Sequence, residues 1–418
     1  MANNRLKIMS IVGARPNMMK VAPLLAELRR HDEIEPVLVH TGQHYDYSMS
    51  QVFFDQLGVP PPDYNLDVGS GPHYAQTAEI MRKFGDLVQQ DRPDMVLVAG
   101  DVNSTIACAL VAAKERIPIA HVEAGLRSFD RSMPEEINRI LTDQISDLLF
   151  VTEPNGLQNL RCEGIPAEKI HFVGNTMIDS LLAFKTRAES SFILDELGLR
   201  VADANNGDHN PIRRYALLTL HRPSNVDHRD SFLNILASLE ELARDYPIIF
   251  PVHPRTQKRL EEFGLAGRFG MNALTIQPAR GQSGNGRNGI ILTPPMGYLD
   301  FLCLMMHASV VVTDSGGIQE ETTCLGVPCV TVRENTERPI TTKIGTNVLA
   351  GTSKDRIRIA IRQQMGRKVT ASVPEKWDGQ AAIRIVDVLT HIYAAKTFPE
   401  VFALGRGSQQ LMPTGTFD

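Results

Sequence analysis

Residues 310–321 read VVVTDSGGIQEE, and their order of residue types points to the fold. The apolar run Val310–Val312 has the character of a buried parallel strand. Ser315-Gly316-Gly317 forms a tight turn, and Ile318-Gln319-Glu320-Glu321 opens a helix that runs on through Leu325. Gly326 and Pro328 end that helix, and Cys329–Val332 begins another strand. A helix N-terminus exposes unpaired N–H groups and a partial positive charge, and two glycines let a phosphate approach them. Glu321, one turn into the helix, could accept hydrogen bonds from the two hydroxyls of a ribose. An ordinary strand-to-helix turn with Ser315 as N-cap accounts for the same residues.

Outward from this stretch the pattern repeats. In the first half, strands are expected at Leu6–Val12, Glu35–His40, Met95–Ala99, Ile117–Val122, Leu148–Val151 and Ile170–Gly174. Helices fall between them, at Met18–Arg30, near Ser48–Leu57, and at Tyr74–Gln90, Ser104–Glu115 and Pro134–Ser146. In the second half the strands are Tyr215–Leu220, Ile248–Val252, Ile290–Leu292, Val310–Val312 and Cys329–Val332. Such alternation predicts an α/β protein of two doubly wound, Rossmann-like parallel sheets facing a cleft. The domains are drawn at 1–185 and 186–379, with a last helix at 380–396. Arg200–Asn210 and Arg280–Asn288 read as loops, and 405–418 as a flexible tail.

The chain has 418 residues, 43% hydrophobic and 22% charged, with a net charge of -5. There is no basic stripe to suggest nucleic acid. No apolar run reaches membrane-spanning length, and the N-terminus enters a strand at once, so a cytoplasmic enzyme is expected. The five cysteines show no metal-finger spacing and lie mostly in apolar runs, which favours buried thiols over disulfides or zinc.

Ligands of doubly wound sheets bind beyond the carboxyl ends of the strands. The polar residues at those ends are therefore the candidates. Arg15 and Lys20 follow the first strand and could clamp an anion. Asp101 and Glu123 end neighbouring strands, and Glu135 opens the helix that follows. Asp101 has a plain alternative as a helix cap and Glu135 as a macrodipole partner, whereas Glu123 precedes Ala124-Gly125-Leu126-Arg127, which does not look like a helix start. Together they suit removal and return of a proton on a weakly acidic carbon. In the second half, His221 and His253 follow strands. Arg338 lies in a polar turn as an anion clamp, and Phe301 could stack on a flat base or fill the core. HExxH, GxSxG, Walker A and complete GxGxxG patterns are missing.

Eight motifs occur in order: GARPNMMK (13–20), TGQHYD (41–46), GDVNST (100–105), HVEAGLRSFDRSMPEEINR (121–139), HRPSN (221–225), VHPRT (252–256), TDSGGIQEE (313–321) and ENTERP (334–339). The set resembles the non-hydrolysing UDP-N-acetylglucosamine 2-epimerases over about residues 6–395. The resemblance implies a glycosyltransferase-B-type fold with UDP in the cleft and the final helix crossing back to the first domain. It also implies a homodimer with no metal and no nicotinamide or other cofactor. The implied reaction interconverts UDP-GlcNAc and UDP-ManNAc through anti elimination of UDP. By motif position, Asp101, Glu123 and Glu135 would be the catalytic acids, and His221 would assist at the diphosphate or the anomeric oxygen. Arg15 and Lys20 would face the diphosphate and sugar, and Arg338 would bind from the second domain. Ser315, Gly316 and Gly317 would hold phosphate, Glu321 the ribose and Phe301 the uracil.

Three features depart from the pattern: SFDRSM is a short segment before Pro134, Met296 stands where some relatives have Gln, and HYDYSMS follows Gln43. The TGQHYD and RSFD types also resemble epimerases of UDP-linked diacetamido uronic acids.

Overall fold

The computed structural model describes residues 5–43, 58–200, 211–265, 272–273, 288–365, 367 and 372–394. The helix expected near 48–57, the loops at 201–210 and 280–287 and the tail at 405–418 lie outside the described residues.

The first sheet contains β1 (Leu6–Val12), β2 (Ile34–His40), β3 (Tyr64–Asn65), β4 (Met95–Ala99), β5 (Ile119–Ala124), β6 (Leu148–Val151) and β7 (Ile170–Phe172). Its order is β3-β2-β1-β4-β5-β6-β7, with every pairing parallel. The second holds β8 (Ala216–Thr219), β9 (Pro247–Pro251), β10 (Asn272–Ala273), β11 (Gly289–Thr293), β12 (Val310–Thr313), β13 (Cys329–Thr331) and β14 (Asn347–Leu349). It runs β10-β11-β9-β8-β12-β13-β14, again all parallel. Strands covered on both faces need apolar residues throughout, and β4, MVLVA, is buried at every position.

In both sheets the order reverses beside the first strand, between β1 and β4 and between β8 and β12. Adjacent strand ends there send their loops to opposite faces and leave a crevice. The helix that follows β1 carries Lys20 in its second turn and the turn after β4 carries Asp101, while the turns after β8 and β12 carry His221 and Asp314.

Most boundaries fall within two residues of expectation, and three differences matter. The first helix runs Arg15–Leu28, because Pro16 suits its opening turn, so Lys20 lies on a regular helix. β5 runs to Ala124 and so includes Glu123. Gly316 and Gly317 are inside the first turn of helix Gly316–Leu325 instead of ahead of it. Cys108, Cys303 and Cys329 are buried, whereas Cys162 is exposed at the end of a short helix; all five cysteines are free thiols.

The two units meet on helix Thr176–Glu189, which begins where the Asn175 side chain accepts from the Met177 amide at 2.9 Å. This helix packs on Arg15–Leu28 and also on helices Tyr298–His307 and Gly316–Leu325 of the second unit. Ser180 donates to the Met19 carbonyl at 2.6 Å, and Phe184 meets Tyr298 edge to face at 6.3 Å. The last helix, Ala381–Ala394, returns to the first unit and packs on Arg15–Leu28. Its entry is anchored by Asp179, which accepts from the Ala381 and Ala382 amides at 3.1 and 2.7 Å. Trp377, fully buried, donates to the Thr152 carbonyl at 3.0 Å.

Asp179→Ala removes both anchoring bonds from the returning helix. A loss of about 1–2 kcal/mol is expected, lowering the thermal midpoint by about 2–8 °C in a scan of the intact chain.

Candidate functional site

β5 reads IAHVEA, with two ionisable side chains in a strand buried at every position. At Glu123 the ladder slips: the register with β6 shifts between Val122 and Ala124, and Glu123 adopts φ 72°. A bulge with left-handed backbone is costly for a residue with a side chain, and it re-aims that side chain. Here the carboxylate turns to the cleft, where Lys20 Nζ meets one oxygen and Arg338 Nη2 the other at 2.5 Å. Lys20 is buried too, beside Gly100, whose φ of 69° turns the chain from β4 into Asp101.

Arg338 extends from the second unit to reach Glu123. Its guanidinium also faces Glu320 at 2.9 Å and Glu337 at 2.6 Å. Glu337 in turn pairs with Arg333 at 2.7 Å and lies 3.5 Å from Arg222. Burial opposes the Glu337 charge, but Arg338, Arg333 and Arg222 outweigh it and hold the carboxyl well below its usual range. The same holds for Asp101, where Arg139, Lys20 and Arg338 overcome burial. Asp101 pairs with Arg139, which also binds Glu136 at 2.5 Å.

Glu135 and Glu136 are neighbours with separate surroundings. Glu136 is buried and accepts from the Ser128 amide and hydroxyl, each at 3.0 Å, and from the Phe129 amide at 2.8 Å, which pins the short 128–133 segment. Glu135 is half-buried and contributes to the field at Arg222 across the cleft.

In the second unit His221 is about half exposed, its Nδ1 2.9 Å from Asp314. Asp314 is wholly buried and also accepts from the His221, Arg222 and Asn225 nitrogens. His253 stands behind, its ring 6.4 Å from that of His221.

Ser315 occupies the N-cap position of helix Gly316–Leu325 without a side-chain capping bond. A Cβ on Gly316 would sit 2.4 Å from Arg338 Nη1, so only glycine lets the guanidinium lie over the helix start. Gly317 instead lies against the Met177 methyl of the first unit. Glu321 is buried and accepts from the Tyr298 hydroxyl at 3.0 Å. Burial raises its carboxyl to about 7 despite that bond. Phe301 is half-buried and packs on the core, as does Met296. Gln43 is buried and accepts from the Ser104 hydroxyl at 2.7 Å. The Arg15 side chain lies outside the described residues.

The structure thus brings Lys20, Asp101, Glu123 and Arg338 into one charged cluster. Sequence alone leaves Arg139, Asp143, Asp314, Glu320 and Glu337 unmarked and does not separate Glu136 from Glu135. Their one local signal is a charge within otherwise apolar or turn segments. Several partners lie far along the chain; the local ones are Arg139 three positions from Glu136, and Arg333 and Arg338, four and one from Glu337.

Two open, parallel α/β sheets with charged side chains gathered at their switch points define a protein of two Rossmann-like units facing a cleft. The sequence pattern of the UDP-N-acetylglucosamine 2-epimerase family matches residues 26–390, and the chain belongs to that family. A Methanococcus maripaludis protein named as a UDP-N-acetylglucosamine 2-epimerase homolog is 43% identical over 389 residues, 93% of this chain and 100% of that protein. The Pseudomonas aeruginosa UDP-2,3-diacetamido-2,3-dideoxy-D-glucuronate 2-epimerase is 38% identical, over 93% of this chain and 100% of its own length. The crystal structure of the Methanocaldococcus jannaschii UDP-GlcNAc 2-epimerase with UDP-GlcNAc and UDP is 40% identical. It superposes with a TM-score of 0.81, covering 92% of this chain and 99% of that one.

Two outcomes test this site. Gly316→Ala should displace Arg338 and lower turnover roughly tenfold while leaving the far-ultraviolet dichroism unchanged. The second concerns Glu153, wholly buried at the start of helix Pro154–Cys162. Burial and the nearby Glu320 charge raise its carboxyl to about 8, eased only by Arg338, the Ile340 amide and Lys343. Between its usual range and pH 8 the folded chain keeps a proton that the unfolded chain has released, so stability falls as pH climbs through that window. Glu153→Gln should match the wild type near about pH 5 and melt roughly 5 °C or more higher at about pH 9.

Proposed function

We propose that this chain is a non-hydrolysing UDP-sugar 2-epimerase interconverting UDP-GlcNAc and UDP-ManNAc. One observation supports the reading most: carboxylates at the ends of β4 and β5 pair with cations of the first unit, and one of them, Glu123, also pairs with an arginine from the second. Epimerisation at carbon 2 needs a base for a weakly acidic proton and positive charge for a departing diphosphate. In the forward direction the carbon 2 proton passes to a carboxylate, carbons 1 and 2 become doubly bonded, and the anomeric C–O bond breaks to release UDP. In the return step UDP adds to carbon 1 and carbon 2 takes a proton on its opposite face. No net proton, water or electron is consumed.

In this reading Asp101, Glu123 and Glu135 supply and remove the proton. Lys20, Arg15 and Arg338 stabilise diphosphate as its charge grows, and His221, oriented by Asp314, donates at the diphosphate. Ser315, Gly316 and Gly317 offer the helix start to phosphate. Glu321 faces the ribose and Phe301 the uracil. The domains divide near residue 185, and the chain acts as a cytoplasmic homodimer without metal or nicotinamide. The Pseudomonas aeruginosa relative favours a second reading, in which the sugar is a UDP-linked diacetamido uronic acid.

Proton NMR of the protein with UDP-GlcNAc in heavy water, with no added cofactor, separates these readings. UDP-ManNAc with deuterium at carbon 2 in both sugars is expected. Free ManNAc and UDP in equal amounts would overturn the non-hydrolysing assignment, and exchange only on a diacetamido uronic acid would move the substrate. Glu123→Gln should lower turnover by roughly 1,000-fold and leave UDP affinity within about threefold by calorimetry.

A further inference from the structure

His121 lies two residues before Glu123 and is wholly buried. A polar ring in a closed apolar layer is costly unless its nitrogens are both engaged, and here they are. Nε2 is 2.9 Å from the Gly100 carbonyl oxygen, which can only accept, so Nε2–H donates to it. Nδ1 faces the Asp143 carboxylate at 2.7 Å. The other Asp143 oxygen accepts from the Gly125 amide at 3.1 Å and from Arg127 at 2.7 Å. Arg127 is itself tied to Glu163.

Each end of this chain of contacts stops beside a carboxylate of the cleft. Gly100 immediately precedes Asp101, and its left-handed φ sets the direction in which Asp101 leaves β4. Gly125, also left-handed at φ 81°, closes the bulge that turns Glu123 outward. Strand pairing holds these turns only in part: the Gly100 amide donates to the Val122 carbonyl at 3.0 Å, while the β5–β6 ladder is broken at the bulge. The buried pair adds a second tie, at the Gly100 carbonyl and at the Gly125 amide.

We infer that His121 and Asp143 are positioning residues for the proposed epimerisation: they clamp the Gly100–Asp101 turn to the Glu123 bulge and set the spacing of the two carboxylates. The inference rests on that reading of the function for its kinetic arm and on geometry alone for its structural arm. Neither side chain touches the cleft, so their effect on the reaction passes through Asp101 and Glu123.

Two substitutions divide the clamp. In His121→Asn the amide nitrogen takes the place of Nδ1, keeping the Asp143 contact and losing Gly100. In His121→Gln it takes the place of Nε2, keeping Gly100 while Arg127 and Gly125 still hold Asp143. Misplacing a reacting group by about 1 Å costs roughly 100-fold in rate. His121→Asn should therefore lose roughly 100-fold in kcat, with KM and calorimetric UDP affinity within about threefold, and His121→Gln should recover at least about tenfold of that loss. Crystal structures should show Asp101 shifted away from Arg139 in the Asn variant and retained in the Gln variant. Equal losses of kcat and stability in both would overturn the inference, as would an unmoved Asp101 in the Asn variant. If the wild type does not turn over any of the UDP-sugars above, the functional reading fails; the crystal structures still decide whether the clamp sets the turn.

Discussion

One guanidinium holds the two halves of this molecule in register. Arg338 belongs to the second unit, yet it ends on Glu123 of the first, with Glu320 and Glu337 on its other edges. A buried charge of either sign is tolerated only when opposite charges and hydrogen-bond partners surround it. The three carboxylates and Arg338 therefore require one another. Their requirement reaches outward: Glu337 recruits Arg333, Glu123 recruits Lys20, and Glu320 takes a bond from Asn175, the cap of the helix that joins the units.

This arrangement does not add much stability, because the desolvation of so many charges offsets most of their attraction. Stability lies in the apolar layers, including the cluster that runs from β1 through helix Thr176–Glu189 to Tyr298 and Leu302. The charged centre instead concentrates acids and cations at the proposed site. Burial raises the Glu320 and Glu321 carboxyls, whereas Arg338, Arg333 and Arg222 depress that of Glu337, which shares Arg338 with Glu320. Environments that separate the proton affinities of neighbouring acids in this way are found where proton transfer is the task.

The backbone is bent to serve the same end. Glu123 takes a left-handed conformation that glycine would adopt more easily, and it does so between two turns fastened from below by His121 and Asp143. In the second unit Asp314 performs the matching service for His221 and Arg222, gathering both amides on one buried carboxylate. Both sheets thus use a buried acid beside the switch point to fix the loops that face the cleft.

Much of this was written along the chain. Strand–helix alternation gave two parallel sheets, because apolar runs of this length separated by amphipathic segments have few other ways to bury themselves. The polar residues at strand ends, Lys20, Asp101, Glu123 and His221 among them, could be found because Gly-rich and polar turns punctuate those runs. What the sequence could not show was pairing over distance. Arg338 and Glu123 are 215 positions apart, and His121 meets Gly100 and Asp143 only once β4, β5 and the following helix are packed. Glu135 and Glu136 look alike in sequence, and only the folded 128–133 segment makes one a buried brace and leaves the other at the cleft. Local periodicity settles which elements form, since it depends on neighbours three or four residues away. Which charges meet depends on how the elements stack, and only the tertiary structure decides that.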